Sequence, residues 1–295
     1  MSIEELCEYK SLSQKVNATD ADDALAKTCC LLSLNPNIVI RGSIVKEIVN
    51  YTIVMSDPQR CVIINKHRKL SVKYLAAELL WYFDGDLSVE KIVLYASMWS
   101  KLADKDGNVA SNYGYLVFKQ DIPHMHGLNQ FCWAFDQLCN DKNSRQSLIN
   151  FNQVHHKSNL KDFVCTINAQ FFIRNNKLIM ITNMRSNDII YGFCYDFPFF
   201  SFLHQLMFCV LKGTYEDLQL GSYIHNVASM HIYKRHFDMM IDIVNSYDSS
   251  NKKQSSELPE ITTVEADTIF RDVSFNGDIH IFKFIKALEA MRDFA

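Results

Sequence analysis

Glycine and proline are scarce in this sequence, with 9 and 5 residues among 295. This scarcity excludes collagen-like chains and Gly- or Pro-rich disordered chains. The net charge is also small, since 30 Lys and Arg face 33 Asp and Glu and leave −3 at pH 7. Such a balance creates no long-range field to hold a polyanion, so we expect no direct nucleic-acid partner. A phosphorylated small molecule needs only a local arginine cluster.

Metal-binding and secretory signals are missing as well. The nine cysteines contain no CxxC pair and no Cys/His spacing of a zinc site, and no secretory hydrophobic region follows the first methionine. We therefore expect free thiols, a reducing cytoplasm and no metal. Polar residues interrupt the most apolar run, 193–211, at Asp196, His204 and Gln205, which predicts a buried core helix rather than a membrane span.

Apolar and aromatic residues are abundant, at 48% and 12% of the chain, so a sizeable core is expected. Short β-branched runs (CVIIN, FVCTINAQFFI, KLIMITNM) alternate with longer helical patterns (LSVKYLAAELLWYF, FFSFLHQLMFCVL). This alternation predicts a mixed α/β or α+β domain. The polar stretch 246–265 is expected to form an exposed loop before a C-terminal element over 266–295.

A two-residue turn is predicted between two of the strands. Asn175 and Asn176 separate apolar runs and tolerate positive φ, as a tight hairpin turn requires. In the register that this turn sets, Cys165 lies opposite Ser186, with Arg185 as the next residue. The hairpin therefore predicts a thiol beside a guanidinium.

Two residues on these elements could carry out proton or nucleophile chemistry. Most strand cysteines are inert core residues, but an arginine neighbour would favour the nucleophilic thiolate of Cys165. Glu78 shares a helix face with several aromatic residues. Desolvated there, its protonated form would be favoured and would suit general acid/base catalysis. The alternative is that Glu78 lies at the rim of this face and is solvated.

Polar residues after the strands suggest a binding site. Arg185, in MRSND at 184–188, could form a phosphate clamp with Arg145, although each arginine taken singly could be a surface residue. His231 and Tyr233 alternate along a probable strand and share a face. They could contact a sugar hydroxyl or be satisfied in a core.

The sequence resembles the thymidylate synthase and deoxynucleotide hydroxymethylase family over about residues 50–240. Five segments, in family order, carry the resemblance: ELLWYFDGD at 78–86, MWSKLADKDGNVASNYG at 98–114, NSRQ at 143–146, DFVCTINAQFFIRNNKLIMITNMRSNDIIYGFCYD at 162–196 and GSYIHNVASMHIYKRH at 221–236. The resemblance implies one α/β domain over residues 1–295, a mixed sheet with flanking helices and a homodimer. It also implies methylenetetrahydrofolate as the co-substrate of a nucleoside monophosphate. The region 246–295 does not resemble the family's usual ending.

The resemblance also implies roles for individual residues. Cys165 looks like the nucleophile that adds to pyrimidine C6, and Glu78 like the glutamate that organises water and moves protons. Arg185 and Ser186 match phosphate ligands, and Arg145 matches the arginine that reaches the partner subunit's site. The other matching positions are His231 and Tyr233 for the sugar, Tyr113 and Gln170 for the substrate, and Trp99, Asp188 and Gly192 for the cofactor.

Two departures from thymidylate synthases bear on specificity. Asp196 stands where those enzymes carry an asparagine, whose amide fits the uracil edge. A carboxyl group that shares a proton with N3 fits cytosine instead, so Asp196 indicates a cytidine nucleotide. Leu102 stands where a second tryptophan is usual and leaves room for an ordered water, which Glu78 and Asp196 could position. We therefore expect hydroxymethylation at C5.

The leading hypothesis is a dCMP 5-hydroxymethyltransferase, with a role in phage DNA modification by analogy and the host cytoplasm as its location. Alternatives within the same class are a dUMP hydroxymethylase, a CMP hydroxymethylase and a thymidylate synthase. A non-catalytic nucleotide-binding homologue is the alternative from another class. Retention of both Cys165 and Glu78 argues against it, because binding alone needs neither.

Overall fold

The computed structural model describes residues 12–157, 161–247, 255–271 and 283–294. Both strands and helices occur throughout these residues, so the mixed α/β prediction is confirmed. The strands are β1 (Leu12–Ala18), β2 (Ile38–Ile40), β3 (Ser43–Met55), β4 (Asp121–Ile122), β5 (Met125–Asn129), β6 (Leu148–Asn150), β7 (Thr166–Arg174), β8 (Lys177–Met184), β9 (Asn187–Asp188) and β10 (Gln219–Tyr233). The α-helices are α1 (Ala21–Ser33), α2 (Val72–Asp84), α3 (Trp99–Leu102), α4 (Gln130–Asn140), α5 (Gly192–Leu211), α6 (Phe237–Ser246), α7 (Thr263–Arg271) and α8 (Lys283–Phe294).

The contacts between residues group the chain into two compact units. The first unit contains the described residues of Met1–Leu70, Ile179–His204 and Gly221–Leu258. The second unit contains those of Ser71–Leu178, Gln205–Leu220 and Pro259–Ala295. The prediction of a single domain over residues 1–295 stays a prediction.

The first unit is built on a mixed sheet. β1 runs parallel to β3, whereas β10 runs antiparallel to β3 and pairs Val227 with Tyr51. β8 is the other neighbour of β10, and the short strand β9 runs parallel to β10. The buried α1 packs against β1 and β3, and the side chain of Asp20 caps its first turn. The sheet thus carries both strand directions, as the predicted mixed sheet requires.

Helix α5 contains the most apolar run of the sequence. Its length and composition would suffice to cross a membrane, but most of it is buried within the fold. Phe197 stacks on Tyr223 with ring centroids 5.2 Å apart, and Phe193 meets the His225 ring edge to face at 5.6 Å. These contacts confirm the prediction of a buried core helix over 193–211.

The second unit contains the predicted turn. Asn175 and Asn176 adopt φ values of +50° and +57° between β7 and β8, as both central residues of a tight hairpin turn must. Because β7 begins at Thr166, Cys165 immediately precedes it, and Arg185 immediately follows β8. The predicted pairing of Cys165 with Ser186 stays a prediction.

Exposure is mixed over the described residues of 246–265, the stretch expected to form an exposed loop. Ser246 ends α6, Ser256 and Glu257 are exposed, and Ser255 is fully buried. The buried Ser255 hydroxyl bonds both the backbone N–H and the carboxylate of Asp22. Ser255 therefore owes its place to internal hydrogen bonds rather than to exposure to water. Residues 248–254 lie outside the described residues.

The element that follows is helical. Thr262 and Glu265 exchange side-chain to backbone hydrogen bonds, which is the reciprocal capping box of a helix start, and α7 begins at Thr263. Within the second unit, α8 packs against α2. The predicted C-terminal element is therefore helical at its described residues.

Candidate active site

Glu78 lies in the middle of α2 and is 5% exposed. The Tyr74 hydroxyl, one turn earlier, donates a hydrogen bond of 2.5 Å to Oε1 of Glu78. The same hydroxyl accepts a bond of 3.1 Å from the indole N–H of Trp99. The solvated alternative for Glu78 is therefore wrong. Its carboxylate is buried and held by Tyr74.

Cys165 is half-buried at the start of β7. Its neighbour Thr166 is fully buried and donates a hydrogen bond of 2.9 Å to the hydroxyl of Tyr113. The Tyr113 ring in turn stacks on Tyr82 with centroids 5.5 Å apart. These contacts anchor the backbone beside the thiol while leaving the thiol partly accessible, so Cys165 is not a core cysteine.

Other thiols are poor nucleophile candidates. Cys29, Cys61 and Cys194 are fully or almost fully buried. Burial raises the pKa of Cys61 and Cys194 to about 12 and that of Cys29 well above its ordinary value. Because the thiolate is the nucleophilic form, these thiols are inert at neutral pH.

Arg145 and Gln170 are brought together in the second unit. The side-chain amide of Gln170, on β7, donates a hydrogen bond of 2.7 Å to the backbone carbonyl of Arg145. The Arg145 side chain is exposed in the loop before β6. An exposed guanidinium on an anchored backbone is compatible with the expected contact to a partner subunit.

The two residues predicted to contact the sugar lie together in the first unit. His231 and Tyr233 share a face of β10, with ring centroids 5.2 Å apart, and both are half-buried. Nδ1 of His231 lies 3.3 Å from the carbonyl of Ser229 and can donate to it, and in the neutral ring Nε2 is then an acceptor. Arg185 and Ser186, between β8 and β9, are half-buried in the same unit. His231 and Tyr233 are thus not fully buried, and their contact with a sugar hydroxyl stays a prediction.

Asp188 combines one satisfied and one unsatisfied carboxylate oxygen. Oδ1 accepts 2.7 Å hydrogen bonds from the backbone N–H groups of Ile190 and Tyr191. Oδ2 is buried and has no hydrogen-bond partner among the described residues. A buried acceptor without a partner is costly and fits a ligand that donates.

Arg68 is a buried cation beside Ile190 that no sequence motif indicated. It is 5% exposed, and its Nε donates a 2.8 Å hydrogen bond to the carbonyl of Ile190. The guanidinium stands over the rings of Tyr191 and Tyr195, at 5.5 and 5.3 Å from their centroids. This stacking positions a planar cation in the first unit.

Asp196 lies one turn into α5 and is half-buried. Its Oδ2 accepts a hydrogen bond of 2.7 Å from the side-chain amide of Asn187. Desolvation raises the pKa of Asp196 to about 7, although the bond from Asn187 partly offsets this rise. Asp196 can therefore hold a proton near neutral pH, as a carboxyl that pairs with cytosine must.

Gly192 lies four residues before Asp196, on the same face of α5. A Cβ on this glycine would stand 2.7 Å from Nδ2 of Asn187 and 3.4 Å from Oδ2 of Asp196. The absence of a side chain thus lets the amide and the carboxyl meet. This close approach accounts for the glycine at a position predicted to contact the cofactor.

Comparisons with known proteins show the family and the fold of this chain. The sequence model of the thymidylate synthase family matches residues 42–282. The chain belongs to the thymidylate synthase family. The match extends beyond the predicted 50–240 at both ends, and no group of three or more potential metal ligands occurs among the described residues.

Two relatives of known activity are phage proteins. The chain is 29% identical over 176 residues to the deoxycytidylate 5-hydroxymethyltransferases of Enterobacteria phages T4 and T2, covering 57% of this chain and 70% of each relative. Among solved structures, the thermostable thymidylate synthase A from Bacillus subtilis matches with a TM-score of 0.64 and 18% identity. That match covers 82% of this chain and 90% of the other, and it shows the fold.

Proposed function

We propose that this family member is a methylenetetrahydrofolate-dependent 5-hydroxymethyltransferase that acts on dCMP. The observation that carries the proposal is Asp196, a half-buried carboxyl whose pKa is raised to about 7, so that it can hold a proton near neutral pH. A protonated carboxyl offers cytosine a donor for N3 and an acceptor for the 4-amino group. The phage relatives with this activity support the same substrate.

Cys165 is the nucleophile of the proposed reaction. Its thiolate forms a bond to C6 of the pyrimidine, and the electrons of the C5–C6 double bond then make C5 the nucleophile toward the one-carbon unit. Methylenetetrahydrofolate supplies that unit when bound. Removal of the C5 proton and departure of tetrahydrofolate would leave the one-carbon unit as an exocyclic methylene on C5. Water then adds to this methylene, and elimination of the thiolate from C6 restores the C5–C6 double bond. The half-buried thiol, beside the anchored Thr166, supports this role.

Glu78 serves as the proton carrier and as the group that positions water. Its burial favours proton exchange with a bound base over exchange with bulk water, and Tyr74 fixes the orientation of its carboxylate. Leu102, at the end of α3 and half-buried, is smaller than the tryptophan usual at this position in thymidylate synthases. The space it leaves suits the water that converts the exocyclic methylene to hydroxymethyl.

Arginine, serine, histidine and tyrosine side chains bind the phosphate and the sugar of the nucleotide. Arg185 and Ser186 bind the phosphate, together with Arg145 of a second subunit in a homodimer. Nε2 of His231 accepts a hydrogen bond from the sugar hydroxyl, and the hydroxyl of Tyr233 completes this contact. Tyr113 and Gln170 belong to the same set of substrate contacts.

Three residues suit the folate. The unpartnered Oδ2 of Asp188 fits the N–H donors of a pterin ring. Trp99, whose indole N–H is already bonded to Tyr74, offers its ring as a stacking surface. Gly192 would contact the folate through its backbone, because Asn187 and Asp196 fill the space of its missing side chain.

The variant Asp196→Ala tests the assignment of the base. It removes both the proton donor for cytosine N3 and the acceptor for the 4-amino group, so the dCMP/dUMP ratio of kcat/KM should fall by at least about tenfold. Asp136→Ala is the control, because desolvation also raises the pKa of Asp136 but the residue lies on α4, outside the proposed site. A wild-type preference for dUMP, or an unchanged ratio in the variant, contradicts the cytidine assignment.

A further inference from the structure

A chain of hydrogen bonds runs from the core of the first unit to Asp196. Nδ1 of the fully buried His225 lies 2.8 Å from the hydroxyl of Tyr223 and 3.1 Å from that of Thr182. Nε2 of His225 lies 3.4 Å from Oδ1 of Asn187, whose Nδ2 donates to Oδ2 of Asp196. Which atom donates in each of these hydrogen bonds depends on which ring nitrogen of His225 carries the proton.

His225 is neutral at working pH. It is enclosed by the rings of Phe193 and Phe200, and burial lowers its pKa to about 3. A neutral imidazole has one N–H donor and one acceptor nitrogen. One of its two ring nitrogens must therefore accept.

The two hydroxyls assign the proton to Nε2. Thr182 and Tyr223 lie 2.6 Å from one another and are both fully buried, so each hydroxyl needs an acceptor. If Nδ1 accepts, one of the two hydroxyls donates to Nδ1 and the second hydroxyl donates to the oxygen of the first. Each hydroxyl proton then has an acceptor. If Nδ1 donated, one hydroxyl proton would lack an acceptor among the described residues, at a cost typical of a buried unsatisfied group.

The proton on Nε2 fixes the orientation of the Asn187 amide. Nε2–H donates to Oδ1 of Asn187, so the NH₂ group points to Asp196 and can only donate. Asn187 is 3% exposed, and its backbone is held by pairing with Met230 of β10. The close approach permitted by Gly192 completes the contact. Oδ2 of Asp196 is consequently always an acceptor, and the carboxyl proton resides on Oδ1.

We infer that Asn187 is a positioning residue that sets base specificity by deciding which oxygen of Asp196 carries the proton; this inference rests on the proposed function. With the proton on Oδ1, the carboxyl donates to cytosine N3 and accepts from the 4-amino group through Oδ2. Uracil presents N3–H and O4 instead. Uracil would therefore need an acceptor at the position of Oδ1–H and a donor at the position of Oδ2. Asn187 prevents this arrangement, because its N–H keeps Oδ2 an acceptor.

Removing the amide should therefore relax specificity while Asp196 remains. In Asn187→Ala, either oxygen of Asp196 can carry the proton, so the carboxyl can present the pattern that uracil requires. The dCMP/dUMP ratio of kcat/KM should fall by at least about tenfold, and kcat/KM for dUMP should rise in absolute terms. A merely structural role would lower both values together.

A competition assay measures this ratio directly. Equimolar dCMP and dUMP are incubated with methylenetetrahydrofolate and each variant, and the products are quantified by mass spectrometry. Asn35→Ala is the matched control, since Asn35 is also 3% exposed in the first unit and its amide bonds the carbonyl of Glu47. Its ratio should equal that of the wild type. Asn187→Leu keeps the approximate shape of the side chain if the alanine variant does not fold, and it has no polar hydrogen to donate, so its ratio should fall as well.

The outcomes separate the inference from the proposed function. If the wild-type enzyme prefers dUMP or leaves dCMP unmodified, both the proposed function and the inference about Asn187 are contradicted. A wild type that prefers dCMP, with a ratio that responds to Asp196→Ala but not to either Asn187 variant, overturns the inference and leaves the proposed function standing. A lower ratio without any rise in kcat/KM for dUMP in Asn187→Ala also overturns it.

Discussion

The phenol of Tyr74 and the carboxylate of Glu78, four residues apart on α2, are joined by a hydrogen bond, and the same phenol accepts the indole N–H of Trp99. One hydroxyl thus links the proposed proton carrier to a residue proposed to contact the folate. Because helical residues at this spacing lie on one face, the backbone itself holds the pair together. Tyr74 is a positioning residue in this account.

Tyr74→Phe should lower kcat by about ten- to a hundredfold with little change in the KM for the nucleotide. The substitution removes the donor that orients the Glu78 carboxylate, and a hydrogen bond to a charged group is worth roughly 1.5–3 kcal/mol. Steady-state kinetics measure the two constants. Tyr247→Phe is the matched control, because it also removes a phenol-to-carboxylate bond, to Asp23, outside the proposed site. Equal effects in both variants would contradict the role of Tyr74.

Cys165→Ala should abolish turnover while the affinity for dCMP stays within about tenfold. Binding depends on the arginine, histidine and tyrosine contacts, whereas the thiol acts in covalent catalysis. Titration calorimetry gives the affinity and product analysis gives the turnover. Cys139→Ala, another half-buried thiol, should remain active. Turnover near the wild-type rate in Cys165→Ala would exclude Cys165 as the nucleophile.

The pH profile should report the protonation of Asp196. The pKa of Asp196 is raised to about 7, so the free enzyme loses the proton needed for cytosine N3 as the pH rises through this value. The kcat/KM for dCMP should therefore fall above about pH 7. In Asp196→Asn, measured with either nucleotide, this decline should be absent. A decline of the same midpoint in both enzymes would assign it to another group.

Arg145 should act across a subunit boundary. We expect a homodimer by sedimentation and a higher KM for the nucleotide in Arg145→Ala, since a charge-assisted contact is lost. Lys142→Ala, three residues earlier, should change KM little. Mixing the inactive Cys165→Ala protein with Arg145→Ala protein should restore activity, because one site of the mixed dimer then has both residues. A fully active monomer, or no restoration, would contradict the cross-subunit contact.

Local features of this fold were predictable because each depends on neighbouring residues. Two asparagines at positive φ made the turn between β7 and β8, and the helical spacing of Glu78 placed it on a buried face. Tyr74 was within reach of the same reasoning, since it lies one turn before Glu78. A search for polar partners at i−4 would have found it.

The contacts of Asp196 were not predictable in this way. Asn187 and His225 are 38 residues apart in sequence and come close only because β9 pairs with β10. Their contact with Asp196 further depends on the missing side chain of Gly192. The polar stretch before α7 shows the same limit, because the hydroxyl of Ser255 bonds Asp22, which is far away in the sequence.

The product of the reaction tests the proposed activity most directly. The protein is incubated with methylenetetrahydrofolate and, separately, with dCMP, CMP and dUMP, and each product is identified by mass spectrometry. Hydroxymethyl and methyl groups differ by one oxygen, so the mass distinguishes water addition from hydride transfer. The account predicts 5-hydroxymethyl-dCMP as the main product and little conversion of dUMP. A methylated product, or conversion of dUMP in preference to dCMP, would contradict it.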